Sequence, residues 1–437
     1  MYVCGPTVYD VPHLGHGRFS LVFDVLRRYI EFTGLKVRYV SNITDIDDKI
    51  IRRAQDEGRT LAEVAQEYEG VWWEAMDALG VMRPTETPHA TGYVQDMVAL
   101  VERLIERGVA YQTPDGVYLE VAQVEGYGLL ARQALESLRA GARVEAAEDK
   151  RSPLDFVLWK TAKPGEPTWD SPWGPGRPGW HTECVVMSLD LLGDGFDLHG
   201  GGADLAFPHH ENERAQAVAL GRSFARHWVH NGWVVVEGEK MSKSLGNFTS
   251  LTDLLERTDA RAYRLLVLRS HYRSPLEVTP RTVADAESAL GRLDELARRF
   301  ELPAGVVRTG EAAGLDVDEA AVQSFKARMD DDMDTPAALA GIFDLARQAN
   351  AAADASDMPT ARRCATTVSV LCGAMGLGLE PGDKDGEIDS RSAQLISDRD
   401  SARAGRDWTR ADLIRDELTG LGWVVEDGPQ GTRVRRG

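Results

Sequence analysis

Cysteine is scarce in this chain and positive charge is in deficit, and the two shortages narrow its identity before any motif is considered. Its 437 residues hold four cysteines, Cys4, Cys184, Cys364 and Cys372, scattered too widely for the disulfide framework of a small secreted domain. No run approaches the roughly eighteen apolar residues of a membrane span, so no membrane partner is expected. Met1 is followed at once by Tyr-Val-Cys and a Gly-Pro turn, which lacks the basic start and apolar stretch of a signal peptide, and a cytoplasmic location is expected. There the cysteines stay reduced and metal binding becomes their more interesting use. Fifty Lys and Arg face 69 Asp and Glu, for a net charge of −19 at pH 7, which excludes a protein that coats nucleic acid indiscriminately.

Basic residues do concentrate in one place. Residues 391–437 carry nine arginines (391, 399, 403, 406, 410, 415, 433, 435, 436) against eight acidic residues. That balance suits either a local nucleic acid contact or an ion-paired, solvated helix face.

A length of 437 residues exceeds what one core usually serves, so several domains are expected. The first hundred residues alternate short apolar runs with amphipathic stretches: strands over 1–4 and 36–40, a helix over 16–32, and another helix beginning near Asp47. This is the pattern of a parallel α/β sheet. Between 111 and 163 the periodicity weakens into turn-rich, β-prone segments, and a second α/β half runs to about 236. From about Ser288 the pattern is helical, with Thr335-Pro336 as a start signal. Residues 392–421 read as one or two helices and 422–434 as strand, turn, strand.

Two motifs carry chemistry. Pro12-His13-Leu14-Gly15-His16 follows a strand and opens a helix, where free backbone N–H groups favour a phosphate. Gly15 lets a nucleotide approach the backbone, and His13 and His16 can donate hydrogen bonds as charge builds on phosphate oxygens. Taken alone, the same histidines suit plain helix capping. The second motif, Lys240-Met241-Ser242-Lys243-Ser244, sets two flexible ammonium groups among small residues, suited to closing over a triphosphate. An exposed basic turn is its bland alternative.

In this order and on this background, the two motifs resemble those of class I aminoacyl-tRNA synthetases. Further segments narrow the resemblance to the cysteinyl-tRNA synthetase family: Met1-Tyr2-Val3-Cys4-Gly5, Asn42-Ile43-Thr44-Asp45-Ile46-Asp47-Asp48-Lys49, Gly179-Trp180-His181-Thr182-Glu183-Cys184, and Phe207-Pro208-His209-His210-Glu211-Asn212-Glu213. The likeness runs nearly end to end. It implies an α/β architecture: a Rossmann-like parallel-sheet catalytic domain with an inserted connective subdomain, then a helical bundle and a small C-terminal anticodon-binding domain. The implied layout is two catalytic halves at 1–110 and 171–236, the insertion at 111–170, and a stem-contact region with the lysine loop at 237–287. The bundle follows at 288–385 and the anticodon domain at 386–437.

The resemblance also implies partners and roles. The substrates are L-cysteine, ATP with Mg²⁺, and tRNA(Cys), and a monomer is expected. His13, His16, Lys240 and Lys243 are implied to stabilise phosphoryl transfer, with His13, Gly15, His16 and Lys243 holding ATP. Thr44, Trp180 and Asp204 are implied to line the cysteine pocket, Asp204 as partner of the substrate ammonium. His181 and His199 are further candidates for nucleotide contact. Two thiols, an imidazole and a carboxylate suit zinc, and the resemblance implies that Cys4, Cys184, His209 and Glu213 hold one Zn²⁺. Singly, each of the four has a bland role, such as a small buried cysteine. A zinc-bound substrate sulfur would explain how cysteine is told from serine, since pockets separate such near-isosteres by only about 10²-fold. Four protein ligands normally close a site, so the substrate is expected to add as a fifth or displace Glu213.

At the C-terminal end, Glu426 to Arg436 resembles the family's anticodon-reading tail, with Val434 where the family carries Trp. Family members also have a short stretch ahead of the Cys4 motif, which here opens at Met1. Three rival readings stay open, one of them a non-catalytic tRNA-binding relative, against which the intact phosphate motifs weigh. A ligase joining cysteine to an amino sugar resembles the catalytic domain, but the bundle and the arginine-rich tail weigh against it. A zinc hydrolase using His209, His210 and Glu213 leaves the lysine loop with no role.

Overall fold

The first strand, β1 (Tyr2–Val3), is short and buried at both residues, as a central parallel strand covered on both faces must be. It belongs to a computed structural model that describes residues 1–131, 150–236, 239–240, 250–307, 314–381, 390–428 and 431–436. Helix α1 (Leu14–Phe32) follows, its apolar stripe of Leu21, Val22, Val25, Leu26 and Tyr29 turned inward. Strand β2 is Val40–Ser41. A strand was expected over 36–40, but parallel pairing with β1 begins only at Val40, whose N–H donates to the Met1 carbonyl at 3.0 Å.

Helix α2 (Asp48–Glu57) is capped by Asp47 and ends at Gly58 in the left-handed conformation that glycine adopts without strain. Helix α3 (Leu61–Ala78) starts at a Thr60/Glu63 capping box, and α4 (Val94–Glu106) packs its apolar face into the core. An antiparallel sheet of β3 (Ala110–Thr113), β4 (Gly116–Leu119), β5 (Phe156–Thr161) and β6 (Gly176–Pro178) comes next, in that order. The chain then returns to the parallel layer through α5 (Trp180–Leu192), β7 (Leu198–Gly202), α6 (Glu211–Ala219) and β8 (His227–Asn231). The parallel order is β2-β1-β7-β8. Strands far apart in sequence thus become neighbours, which is how Cys4 comes beside residues near 200.

Three short strands, β9 (Val234–Val236), β10 (Glu239–Lys240) and β11 (Leu276–Glu277), form a separate small sheet. Between the last two lie α7 (Leu251–Leu255) and α8 (Ala260–Leu268). Helix α9 (Pro280–Phe300) leads to α10 (Glu319–Asp330), α11 (Thr335–Asp354) and α12 (Met358–Ala374). Both α11 and α12 start with an aspartate cap and a first-turn proline.

Two compact units result: Met1–Arg292 with Val306–Gly378, and Leu293–Gly305 with Leu379–Gly437. The second contains α13 (Ser390–Ala404), α14 (Trp408–Gly420) and the hairpin of β12 (Trp423–Gly428) and β13 (Gly431–Arg436). Its small core is Ile414, Leu418, Trp423 and Val434. Among the described residues, no helix is long and apolar enough to cross a membrane.

Candidate functional site

A cavity of about 350 Å³ opens where the chain leaves β1, β2 and β7, the end of a parallel sheet at which ligands bind in such folds. Cys4, Gly5 and Tyr9 line it after β1, Asn42 and Thr44 after β2, and Gly202 at the end of β7 with Asp204 beyond it. Helix starts complete it: His13, Gly15 and His16 on α1, and Trp180 and Cys184 on α5. Gly5 is required by close approach, because a Cβ there would meet the Asn42 carbonyl oxygen at 1.6 Å.

His13 is the N-cap of α1. Its Nδ1 accepts from the His16 N–H at 3.3 Å, and the Nδ1 of His16 accepts from the His13 N–H at 3.2 Å. The rings stack with centroids 3.7 Å apart. Capping and chemistry are therefore compatible: with Nδ1 accepting, the proton of each neutral ring sits on Nε2, where it can be donated. Burial pushes His13 down to about 4 and His16 well below the usual imidazole range, so both rings are neutral donors at pH 7.

Cys4, Cys184, His209 and Glu213 also meet, with their ligand atoms all within 4.8 Å of one another and all four residues buried. Cys4 Sγ lies 3.6 Å from Cys184 Sγ and 3.5 Å from Glu213 Oε1, and His209 Nε2 lies 2.9 Å from that same oxygen. Ligand atoms around one zinc at Zn–S about 2.3 Å and Zn–N or Zn–O about 2.0 Å stand roughly 3.3–3.8 Å apart. The set fits a zinc ion in donor chemistry, and these three spacings lie within a few tenths of an ångström of those values. The hydrogen bond donated by Cys4 pulls the Cys184 thiol down to about 6 against the effect of burial. Burial and Cys184 push Cys4 well up. Burial alone would lower His209, but the Glu213 carboxylate and Cys184 outweigh it and lift the ring to about 10. Zinc binding there would displace the protons on Cys4 and His209.

A second tetrad, Cys4, His199, His210 and Glu213, shares two members with the first. Neither His199 nor His210 lines the cavity among the described residues, whereas Cys4, Cys184 and His209 do. A metal in the first set is therefore the one a substrate can reach. The expected nucleotide contact of His199 is not met: the residue is fully buried, with Nε2 2.6 Å from Glu213 Oε2. His181 likewise stands behind a ligand, its Nδ1 2.9 Å from the Nδ1 of His209. His210 places Nε2 3.4 Å from Cys4 Sγ and Nδ1 2.8 Å from His230 Nε2. Sequence reasoning places His181 and His199 at the nucleotide and His210 only in the rival hydrolase reading. A Cβ on Gly201 would meet the His210 ring at 2.9 Å.

The pocket residues also converge. The Trp180 ring stacks on His209 with centroids 4.1 Å apart and is 37% exposed, so it is cavity wall as well as packing. Thr44 is buried and donates to Glu183 Oε2 at 3.0 Å, while Asn42 donates to the Thr44 hydroxyl at 3.1 Å. Asn42, not singled out from the sequence, also accepts the Gly5 N–H at 2.9 Å and sits 3.7 Å from Cys184 Sγ. Lys243 and the side chain of Lys240 lie outside the described residues. Cys364 and Cys372 are buried in α12, and Val434 is core rather than surface.

Residues 1–288 match the family described as the tRNA synthetases class I (C) catalytic domain. Residues 324–380 match the DALR domain, and residues 385–435 match the cysteinyl-tRNA ligase anticodon binding domain. The cysteine–tRNA ligase of Alkalilimnicola ehrlichii is 49% identical over 445 residues, covering 100% of this chain and 95% of the relative. That of Chromobacterium violaceum is 47% identical over 439 residues, covering 100% and 94%. Among solved structures, the Mycobacterium tuberculosis methionyl-tRNA synthetase in complex with methionyl-adenylate superposes with a TM-score of 0.60 at 17% identity, covering 86% of this chain and 89% of that one. At that identity the likeness concerns the fold.

Proposed function

This chain belongs to the cysteine–tRNA ligase family of class I synthetases, and we propose from that premise that it activates L-cysteine with ATP and loads it onto tRNA(Cys). In the first step a cysteine carboxylate oxygen attacks the α-phosphorus of ATP and pyrophosphate leaves. In the second, a hydroxyl of the terminal tRNA ribose attacks the carbonyl of the adenylate and AMP leaves. Positioning supplies most of the rate.

The observation that carries the reading is one cavity lined by two sets of residues. His13, Gly15 and His16 stand at a helix N-terminus suited to phosphate, and Cys4, Cys184 and His209 line the same cavity as members of a metal-ligand set completed by Glu213. His13 and His16 donate Nε2–H hydrogen bonds to phosphate oxygens, strongest when charge collects there. Lys240 and Lys243 add positive charge over the leaving group. Asp204 pairs with the substrate ammonium, and Trp180 and Thr44 bound the small side-chain pocket. Cys4, Cys184, His209 and Glu213 hold one zinc ion, which supplies a thiolate-preferring Lewis acid for the substrate sulfur. Mg²⁺ enters with ATP, and the enzyme works as a cytoplasmic monomer.

Cysteine-dependent exchange of labelled pyrophosphate into ATP is the test, with serine in parallel and before and after zinc removal by a chelator. Exchange with cysteine alone, lost on zinc removal and restored by zinc, is the expected result. Comparable exchange with serine would overturn metal-based selection of the amino acid.

A further inference from the structure

Helix α2 opens with an arrangement that local stability does not favour. Asp47 caps it, accepting the Lys49 N–H at 2.8 Å, and Asp48 follows in the first turn. Both acids suit the positive end of a helix, whereas a lysine in the same turn works against the helix dipole. Two neighbouring charges on the helix are paired. Asp48 pairs with Lys160 at 2.7 Å and with Arg177, while Arg53 pairs with Asp10 at 3.2 Å and Glu57 at 2.7 Å. Lys49 forms no ion pair among the described residues, and its ammonium stands 5.0 Å from the centroid of the Tyr9 ring. It lines the cavity that contains His13, Gly15 and His16, and of the described residues lining that cavity it is the only lysine or arginine.

That placement matters because the two histidines bring donors but no charge. Half-buried and neutral, they can orient phosphate oxygens yet cannot offset the several negative charges of a triphosphate. A protonated amine on a flexible stem can do so, and the face of Tyr9 holds it at the cavity wall until an anion arrives. Resting on the ATP- and cysteine-binding reading above, we propose that Lys49 is a catalytic residue of adenylate formation, contacting the ATP triphosphate and stabilising charge on departing pyrophosphate. Lys49 stays protonated throughout: the new bond joins the cysteine carboxylate oxygen to the α-phosphorus, and the bond that breaks releases pyrophosphate with its electron pair.

The test uses the full zinc-loaded chain with Lys49→Met and Lys49→Arg, read by pyrophosphate exchange and by direct ATP binding in equilibrium dialysis. Lys49→Met is expected to lower kcat/KM for ATP by about tenfold or more, with KM for cysteine held within about twofold. Lys49→Arg is expected to recover most of the loss, and zinc content and melting temperature are expected to match the parent in both. Three results would overturn the proposal: an unchanged kcat/KM for ATP in Lys49→Met, an equal loss in Lys49→Arg, or a loss falling on KM for cysteine. A parent chain that binds ATP but exchanges nothing with cysteine would refute the substrate assignment instead. The dialysis arm would still decide on Lys49.

Discussion

His199 holds Glu213 by a fully buried contact, Nε2 to Oε2 at 2.6 Å. The other ring nitrogen, Nδ1, faces the Tyr2 carbonyl at 3.1 Å. A carbonyl only accepts, so Nδ1 carries hydrogen, and a further proton must lie between Nε2 and the carboxylate. One oxygen of Glu213 is thereby fixed and the other is turned toward Cys4 and His209. Partners of this kind orient metal ligands and govern affinity. His199→Leu should therefore weaken zinc binding by about 10- to 100-fold, as read by competition with a chromogenic chelator. Parent-like affinity would assign the contact to packing alone.

The four cysteines should separate into two pairs. Cys4 and Cys184 touch across the cavity wall, while Cys364 and Cys372 are buried within α12. Cys184→Ala should lose both bound zinc and cysteine-dependent pyrophosphate exchange. Cys364→Ala should keep both. Elemental analysis of purified protein reads the first property independently of the second, and a zinc-replete Cys184→Ala protein would remove this residue from the ligand set.

Part of this site was legible in the sequence because it is local. The histidine pair around Gly15 shows as a local motif at a helix start, whereas His209 and Glu213 are picked out as ligands, with Cys4 and Cys184, only by the family resemblance. The layer behind them was not legible. His199 and His210 meet Cys4 only because β7 pairs with β1, a neighbourhood that no spacing rule contains. Strand β6, Gly-Arg-Pro, has no β propensity of its own and is a strand only because β5 offers it partners. Val434, at the family's Trp position, packs against Ile414, Leu418 and Trp423, so burial rather than base contact explains it here.

Stability should depend on a buried ion pair remote from the chemistry. Asp24 on α1 accepts from Arg264 at 2.5 Å and Arg28 at 2.9 Å, and from the Met82 N–H at 2.9 Å. Burial alone would raise the Asp24 carboxyl, but the two guanidinium groups and the Met82 N–H outweigh it and hold it below the usual value. A depressed carboxyl contributes stability above its unfolded value of about 3.9 and loses it as pH falls through the lower folded value. Asp24→Asn leaves buried arginine charge uncompensated and should cost about 3–5 kcal/mol at neutral pH. In urea titrations the gap between parent and variant should narrow below about pH 3.9. A gap that is constant with pH would mean the carboxylate charge contributes nothing.

The second unit carries an exposed aromatic residue that the sequence reading passed over. Trp408 opens α14 with 59% of its surface exposed, between Arg406 and Arg410, while the hydrophobic core of this unit forms without it. An exposed tryptophan flanked by arginines suits a single-stranded loop, because a base can stack on the ring while guanidinium groups meet phosphate, at about 1–3 kcal/mol per stacked base. Trp408→Ala should therefore weaken tRNA(Cys) binding by about 1–3 kcal/mol in a filter-binding titration. Pyrophosphate exchange, which needs no tRNA, should stay at the parent rate. A variant that exchanges and binds tRNA like the parent would leave Trp408 without a role in recognition, and one that loses exchange would place its effect on folding.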